Sequence, residues 1–370
     1  GLYIPSWLQD QGLADSALAI TQAVAGVLVI LGAPLVGALS ERSGRRLPAL
    51  GVSTGVAVAA TAGLASFTAP ATLLLLGIGL VAVNLGSALY DALLPVVSAP
   101  SDRARLSGLG VAVGYVGSFV GLGLGRLAFE VLDAGYATTF RLLALGFAVF
   151  AIPIFVWLRE VAPASSSLPL SANPLKGLRQ SWRRAAAAPG VVRFLLGRFL
   201  YTDAINTLIG GFLAIYVLTE LGLPLAQVNT VLAVAIAAAV GGGLGGGRLA
   251  RRLGARSALR LVLLVWVGAL GAGVGAARVD VAGLVWLVAV GGGLALGATW
   301  ASDRVLMLEL SPPAHLGEFY GLYATVGRFA TILGPLVWAT VVDLLDWGRQ
   351  AALLVLAGFI LAGWWVVRER

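Results

Sequence analysis

Cysteine is absent, methionine and histidine occur once each, and Asp, Glu, Lys and Arg together supply only 11% of the 370 residues. Without cysteine there is no disulfide and no thiolate metal site. The single histidine, His315, follows two prolines in a loop, and neither a Ser/His/Asp set nor a metal-ligand cluster surrounds it. No stretch has the phosphate-cradling G-x-x-x-x-G-K pattern, so ATP is not expected to drive whatever this chain does. The glycine run at 241–246 satisfies G-x-G-x-x-G formally, but it lies inside an apolar run with no strand before it. Gly242 and Gly246 read instead as a small-xxx-small pair that lets helices approach closely. Charge is also too scarce to cover the surface of a soluble domain of this size.

What the chain has instead is apolar length. Hydrophobic residues make up 59% and mean hydropathy is +0.94. Eleven long segments carry few or no charges: 16–39, 47–68, 71–97, 106–128, 138–158, 191–218, 223–247, 258–277, 281–308, 318–342 and 350–367. A hydrocarbon core of about 30 Å takes roughly 20 residues of helix. Helix is required, because lipid offers no water to unpaired backbone groups. The fold class is therefore an all-α polytopic membrane protein.

The loops give an orientation. Alternate loops, together with the carboxy-terminal tail, hold 19 of the 25 basic residues, and the opposite loops hold only Arg126, Arg141, Arg278 and Arg349. The rich side is expected to be cytoplasmic. That places the carboxy terminus inside and residues 1–13 outside, in a cell (plasma or inner) membrane. The net charge of +8 is thereby explained by loops, and nucleic acid is not an expected partner. The chain opens on Gly1 and its only methionine is Met307, so a further helix is expected upstream of the given sequence. A Pro/Ser-rich and then basic stretch, 160–190, reads as a cytoplasmic linker with a short surface helix. It divides a first half, 1–159, from a second, 191–370.

The halves resemble each other. Pro100, Gly108, Leu109, Val113, Gly114 and Gly121 recur 213 residues on as Pro313, Gly321, Leu322, Val326, Gly327 and Gly334. Gly37, Arg42, Gly44 and Arg46 recur 210 residues on as Gly247, Arg252, Gly254 and Arg256. Two matches at nearly one offset indicate an internal six-plus-six repeat.

On these residues the sequence resembles the major facilitator superfamily. GALSERSGRR, residues 37–46, looks like that superfamily's loop motif between its second and third helices, with Gly37, Glu41, Arg42, Gly44, Arg45 and Arg46 in place. RFLYTDAINTLIGGFLAIYV and EFYGLYATVGRFATILGPL, with the stretch from Leu89 to Ser118, are similar to the vacuole effluxer-like branch, some fungal members of which export amino acids from the vacuole. The resemblance implies two six-helix halves related by a pseudo-twofold, with the first helix missing here, and alternating access. It also implies a gate in which Glu41 pairs with an arginine across the half when the cytoplasmic side is closed.

Charges inside the membrane are the sharper pointers, since each costs about 2.5–3.5 kcal/mol at mid-membrane on insertion scales. Asp203 lies about 12 residues into its segment, roughly 18 Å at 1.5 Å per residue, with Asn206 and Thr207 on the same face. Arg328 reaches a similar depth. Arg198, Tyr201, Asp91, Tyr115 and Trp300 join them as candidate substrate-binding residues. Arg252, Asp303 and Arg304 join the loop motif as candidate gating residues. Each charge has a blander alternative in an interhelical salt bridge that only fixes packing. Gly210, Gly211, Pro34 and Pro335 are candidate kinks.

The reading is a secondary active transporter, and not an enzyme, for a small solute such as an amino acid. Its expected partners are that solute, the lipid bilayer and a coupling proton; it is expected to be a monomer and to need no cofactor. The alternatives are a drug or metabolite efflux permease and a non-transporting receptor or scaffold on the same fold.

Overall fold

The computed structural model describes residues 2–43, 46–91, 93, 103–158, 182–278, 283–312 and 316–368. Among these there is helix and no strand. In chain order the helices are α1 (Tyr3–Asp10), α2 (Asp15–Ser43), α3 (Leu47–Gly63), α4 (Ala69–Asp91), α5 (Arg103–Arg126) and α6 (Tyr136–Trp157). Then come α7 (Val191–Thr207), α8 (Leu213–Thr219), α9 (Leu225–Leu253), α10 (Ala255–Ala276) and α11 (Gly283–Leu310). The last are α12 (Leu316–Phe329), α13 (Leu333–Ala339) and α14 (Gly348–Val366). Residues 182–187, at the end of the expected linker, are also helical.

Within the described residues, each of the eleven apolar segments coincides with a helix or a helix pair. Among the described residues, nine helical stretches are long and apolar enough to cross a membrane, and α3 is an apolar helix of 17 residues. Two of the segments are interrupted. A π-helical turn at Leu208–Phe212 joins α7 to α8, with Gly211 at φ 131°, a conformation that side chains with a Cβ rarely adopt. Residues 330–332 separate α12 from α13.

Contacts divide the chain into two compact units, Gly1–Ala19 with Ser171–Arg370, and Ile20–Leu170. In the smaller unit α3 packs on α4 and α6 around Leu50, Leu89 and Leu93. Exposed side chains on α6 are aliphatic and aromatic: Val149, Phe150 and Trp157 are 54%, 54% and 79% exposed. Side chains of this kind on an outer surface are at home against acyl chains, not water.

In the larger unit α11 is the central element, packed on α9 and α10. Lipid tails are as apolar as leucine, so close van der Waals contact has to hold such helices together. The α9–α11 seam achieves it with small residues on both sides. A Cβ on Gly242 would run into the backbone of Leu294, and one on Gly297 into the carbonyl of Ala239. One on Gly246 would come within 2.7 Å of the Ala298 Cα. This seam holds α11 in place six residues before Asp303.

The amino-terminal segment is fastened within the same unit. Tyr3 Oη donates to Asn229 Oδ1 at 3.4 Å, and α1 packs on α8. Asp15, 4% exposed, accepts from Trp338 Nε1 at 2.8 Å and from Arg349 Nε and Nη2 at 2.9 Å each. Glu220 lies 3.7 Å from the same arginine.

Candidate functional site

Helix α7 carries two sets of polar groups into the interior of the larger unit. Arg198 ion-pairs with Asp303 of α11, whose other carboxylate oxygen accepts a hydrogen bond from Tyr323 Oη of α12 at 2.9 Å. Tyr201, one turn beyond Arg198, points its hydroxyl at Asp303 from 3.5 Å. The guanidinium also lies over the Tyr323 ring, its Cζ 3.6 Å from the centroid, and 6.0 Å from that of Trp300. Space for it comes from Gly327: a Cβ there would stand 2.9 Å from Arg198 Nη2. Asp303 is wholly buried and Arg198 nearly so. The cluster is one cation and one anion with hydroxyls filling the remaining acceptor sites, the arrangement a buried pair needs if it is not to be destabilising.

The second set faces the break between α12 and α13. Asn206 Nδ2 donates to the Ala330 carbonyl at 2.7 Å, satisfying a backbone group at the end of α12. Thr207 Oγ1 donates to the carbonyl of Asp203 at 2.8 Å. The Asp203 carboxylate lies against the backbone amides of Ile332, Leu333 and Gly334 at the start of α13, and among the described residues no cation pairs with it. Asp203 is 0% exposed. A fully buried carboxylate that meets backbone amides but no cation is uncommon in folded proteins. Ionisable groups inside spanning helices are rare and costly there.

The expected site residues thus fall into separate environments. Arg198, Tyr201 and Asp303 come together, with Trp300 at their edge. Asp203 and Asn206 lie together at the helix break. Arg328 is half-buried, and among the described residues no carboxylate lies within ion-pair distance of it. Arg252 and Arg304 are exposed, and Arg46 stands at the N-cap position of α3 without a side-chain capping bond. Gly44 and Arg45 lie outside the described residues, as do the side chains of Glu41, Arg42, Asp91 and Tyr115 and the surroundings of Gly37. Tyr323 was not among the expected residues. The sequence signal for it was a hydroxyl-bearing ring in an apolar helix, which needs an acceptor once buried. Among the described residues no three His, Asp or Glu gather as they would around a metal ion.

Apolar helices of spanning length with charged groups buried among them define a polytopic membrane protein. The chain belongs to the Major Facilitator Superfamily, whose family model matches residues 1–335 and, in a second match, 205–370. An uncharacterized MFS-type transporter of Bacillus subtilis (strain 168), YxiO, is 24% identical over 347 residues, covering 90% of this chain and 80% of that protein. Autophagy-related protein 22 of Coccidioides immitis (strain RS) is 28% identical over 272 residues, 65% of this chain and 44% of that protein. Autophagy-related protein 22-1 of Aspergillus niger is 26% identical over 267 residues, 65% of this chain and 42% of that protein. The chain therefore spans under half the length of these fungal relatives.

Among solved structures, the nucleoside transporter NupG superposes with a TM-score of 0.77 at 13% identity, over 99% of this chain and 93% of that one. A bacterial homolog of the human lysosomal transporter Spinster, solved inward-facing and unoccupied, gives 0.69 at 15% identity, over 98% and 90%. At these identities the likeness shows the fold.

Proposed function

We propose that the chain is a secondary active transporter. It moves a small zwitterion of the amino-acid class by alternating access between halves 1–159 and 191–370, joined by the linker 160–190, with the carboxy terminus cytoplasmic. The observation that carries this reading is the buried carboxylate of Asp203, which has no cationic partner among the described residues, at a helix break within a spanning segment. A substrate ammonium group or a coupling proton would complete it. Arg328, without a carboxylate partner among the described residues, supplies the opposite charge for a substrate carboxylate. Arg198 and Asp303 already neutralise each other. Their role in this proposal is to hold α7, α11 and α12 in one arrangement and to release it in the other, while residues 37–46 and Arg252 gate the cytoplasmic side.

The test is counterflow and uptake in proteoliposomes with a panel of radiolabelled amino acids, with and without an imposed proton gradient. Saturable amino-acid movement that Asp203→Asn abolishes, in a variant that folds like the parent, supports the proposal. Movement of amphiphilic compounds but no amino acid favours a second reading, efflux of an apolar metabolite. That reading has its own observation, a pocket of about 730 Å³ in the smaller unit lined by aliphatic side chains such as Val24, Leu28, Val56 and Ile78. Specific binding without movement of any solute would make the chain a receptor.

A further inference from the structure

Away from the buried charges, three arginines converge at one end of the larger unit. Arg193 stands in the first turn of α7, Arg256 in the first turn of α10, and Arg368 just beyond the end of α14. With Pro189, Gly190, Phe194 and Val367 they line a pocket of about 230 Å³. That is below the roughly 300–1,000 Å³ of pockets that enclose drug-sized ligands. Among the described lining residues none is acidic.

The placement runs against the helix dipole. A helix N-terminus carries partial positive charge, so an arginine in the first turn is disfavoured. Here two helices present first-turn arginines to the same small space, and a third cation closes it. The backbone adds to the same sign, because the first amides of a helix lack intrahelical acceptors and favour anions. The guanidinium groups are also held in position. Arg193 Nε donates to the Val366 carbonyl at 2.7 Å, and Arg368 stacks on Trp365 with its Cζ 4.2 Å from the ring centroid. Arg256 Nη2 lies 3.6 Å from where a Cβ on Gly190 would stand, over the turn that starts α7. One turn after Arg256, Arg260 stacks on Trp364 at 4.4 Å.

The pocket sits where spanning helices begin and end, beside a half-exposed Trp365 of the kind that marks the membrane–water interface. We propose that this pocket is a binding site for a phosphate-bearing anion at the membrane surface. Three guanidiniums and a helix N-terminus match the charge and the acceptor oxygens of a phosphate group. Basic pockets between spanning helices take lipid headgroups by this chemistry. The phosphate has two possible sources, the headgroup of an anionic phospholipid and free inorganic phosphate, and the test separates them.

The purified full chain is titrated in neutral detergent with phosphatidylglycerol, phosphatidylcholine or inorganic phosphate, and bound ligand and melting temperature are followed. Saturable binding of phosphatidylglycerol and not phosphatidylcholine, weakened at least tenfold in Arg256→Gln/Arg368→Gln, assigns the site to a lipid headgroup. The same dependence with inorganic phosphate and none with phosphatidylglycerol assigns it to the free anion. Should the double variant fail to fold, Arg368→Gln alone removes an exposed group beyond the last helix and is read the same way. Arg248→Gln, on an exposed face of α9, is the control for general surface charge. The proposal is overturned if neither anion binds, if binding survives the pocket substitutions, or if Arg248→Gln weakens it equally.

Discussion

The pair Arg198–Asp303 allows a quantitative test of what holds the larger unit together. Removing the cation with Arg198→Met leaves Asp303 wholly buried, with only the hydroxyls of Tyr323 and Tyr201 facing it. Breaking a buried pair by one partner costs about 3–5 kcal/mol. At 1.4 kcal/mol per tenfold, the folded population falls by roughly a hundredfold or more relative to the unfolded. The reverse change, Asp303→Asn, is milder. It keeps an acceptor for Tyr323 Oη, and Arg198 retains the Tyr323 ring at 3.6 Å. A desolvated cation–π contact supplies about 2 kcal/mol, so the loss should be about 1–3 kcal/mol. The double variant strands no charge and should lie within about 1 kcal/mol of the parent, since neutral replacement of a buried pair is often tolerated. The cycle should then show a coupling energy of at least about 3 kcal/mol, at or above the upper end for residues in contact. Denaturant unfolding in detergent followed by tryptophan fluorescence measures it, Trp266 and Trp338 being buried reporters in the same unit. The reasoning fails if Arg198→Met is as stable as the parent, or if the double variant is no more stable than that single one.

Other perturbations follow from the same geometry. Gly297→Ala forces α9 and α11 apart and should cost about 1–3 kcal/mol, whereas Gly245→Ala meets nothing within 4 Å and should be neutral or gain up to about 1 kcal/mol; equal melting temperatures for the two would remove the seam argument. Asp15→Asn weakens the charged hydrogen bonds to Arg349 and should destabilise by about 1.5–3 kcal/mol, seen as faster proteolysis of the amino-terminal segment; unchanged digestion would count against the anchor. Asp203→Asn removes a buried charge that has no cationic partner among the described residues and should leave stability unchanged or higher; a marked loss on thermal denaturation would mean that the amides of Ile332, Leu333 and Gly334 compensate the charge in full. A cysteine at Ser257 should react with an impermeant thiol reagent only from the cytoplasm and one at Thr68 only from outside, and the opposite pattern would invert the proposed orientation.

The spans were legible in the sequence because the constraint that makes them is local. In lipid every backbone group must bond within its own segment, so an uncharged run of sufficient length is a helix whatever its neighbours are. The small-residue pair Gly242 and Gly246 was legible for a similar reason: close approach needs missing side chains, and missing side chains are visible in sequence. Intramembrane charge likewise marked Arg198, Asp203 and Asp303 as exceptional. Their partners were another matter. Arg198 and Asp303 are 105 positions apart, and nothing along the chain says which helices touch. Asp303 and Arg304 look like one charged pair in the sequence, yet the first is wholly buried and the second exposed. Successive residues on a helix point about 100° apart, so only the packing of α11 against α7 and α12 decides which of them turns inward. The break at 330–332 and the fastening of Asp15 to Arg349 also belong to tertiary structure, for both depend on side chains that meet across more than a hundred residues of chain.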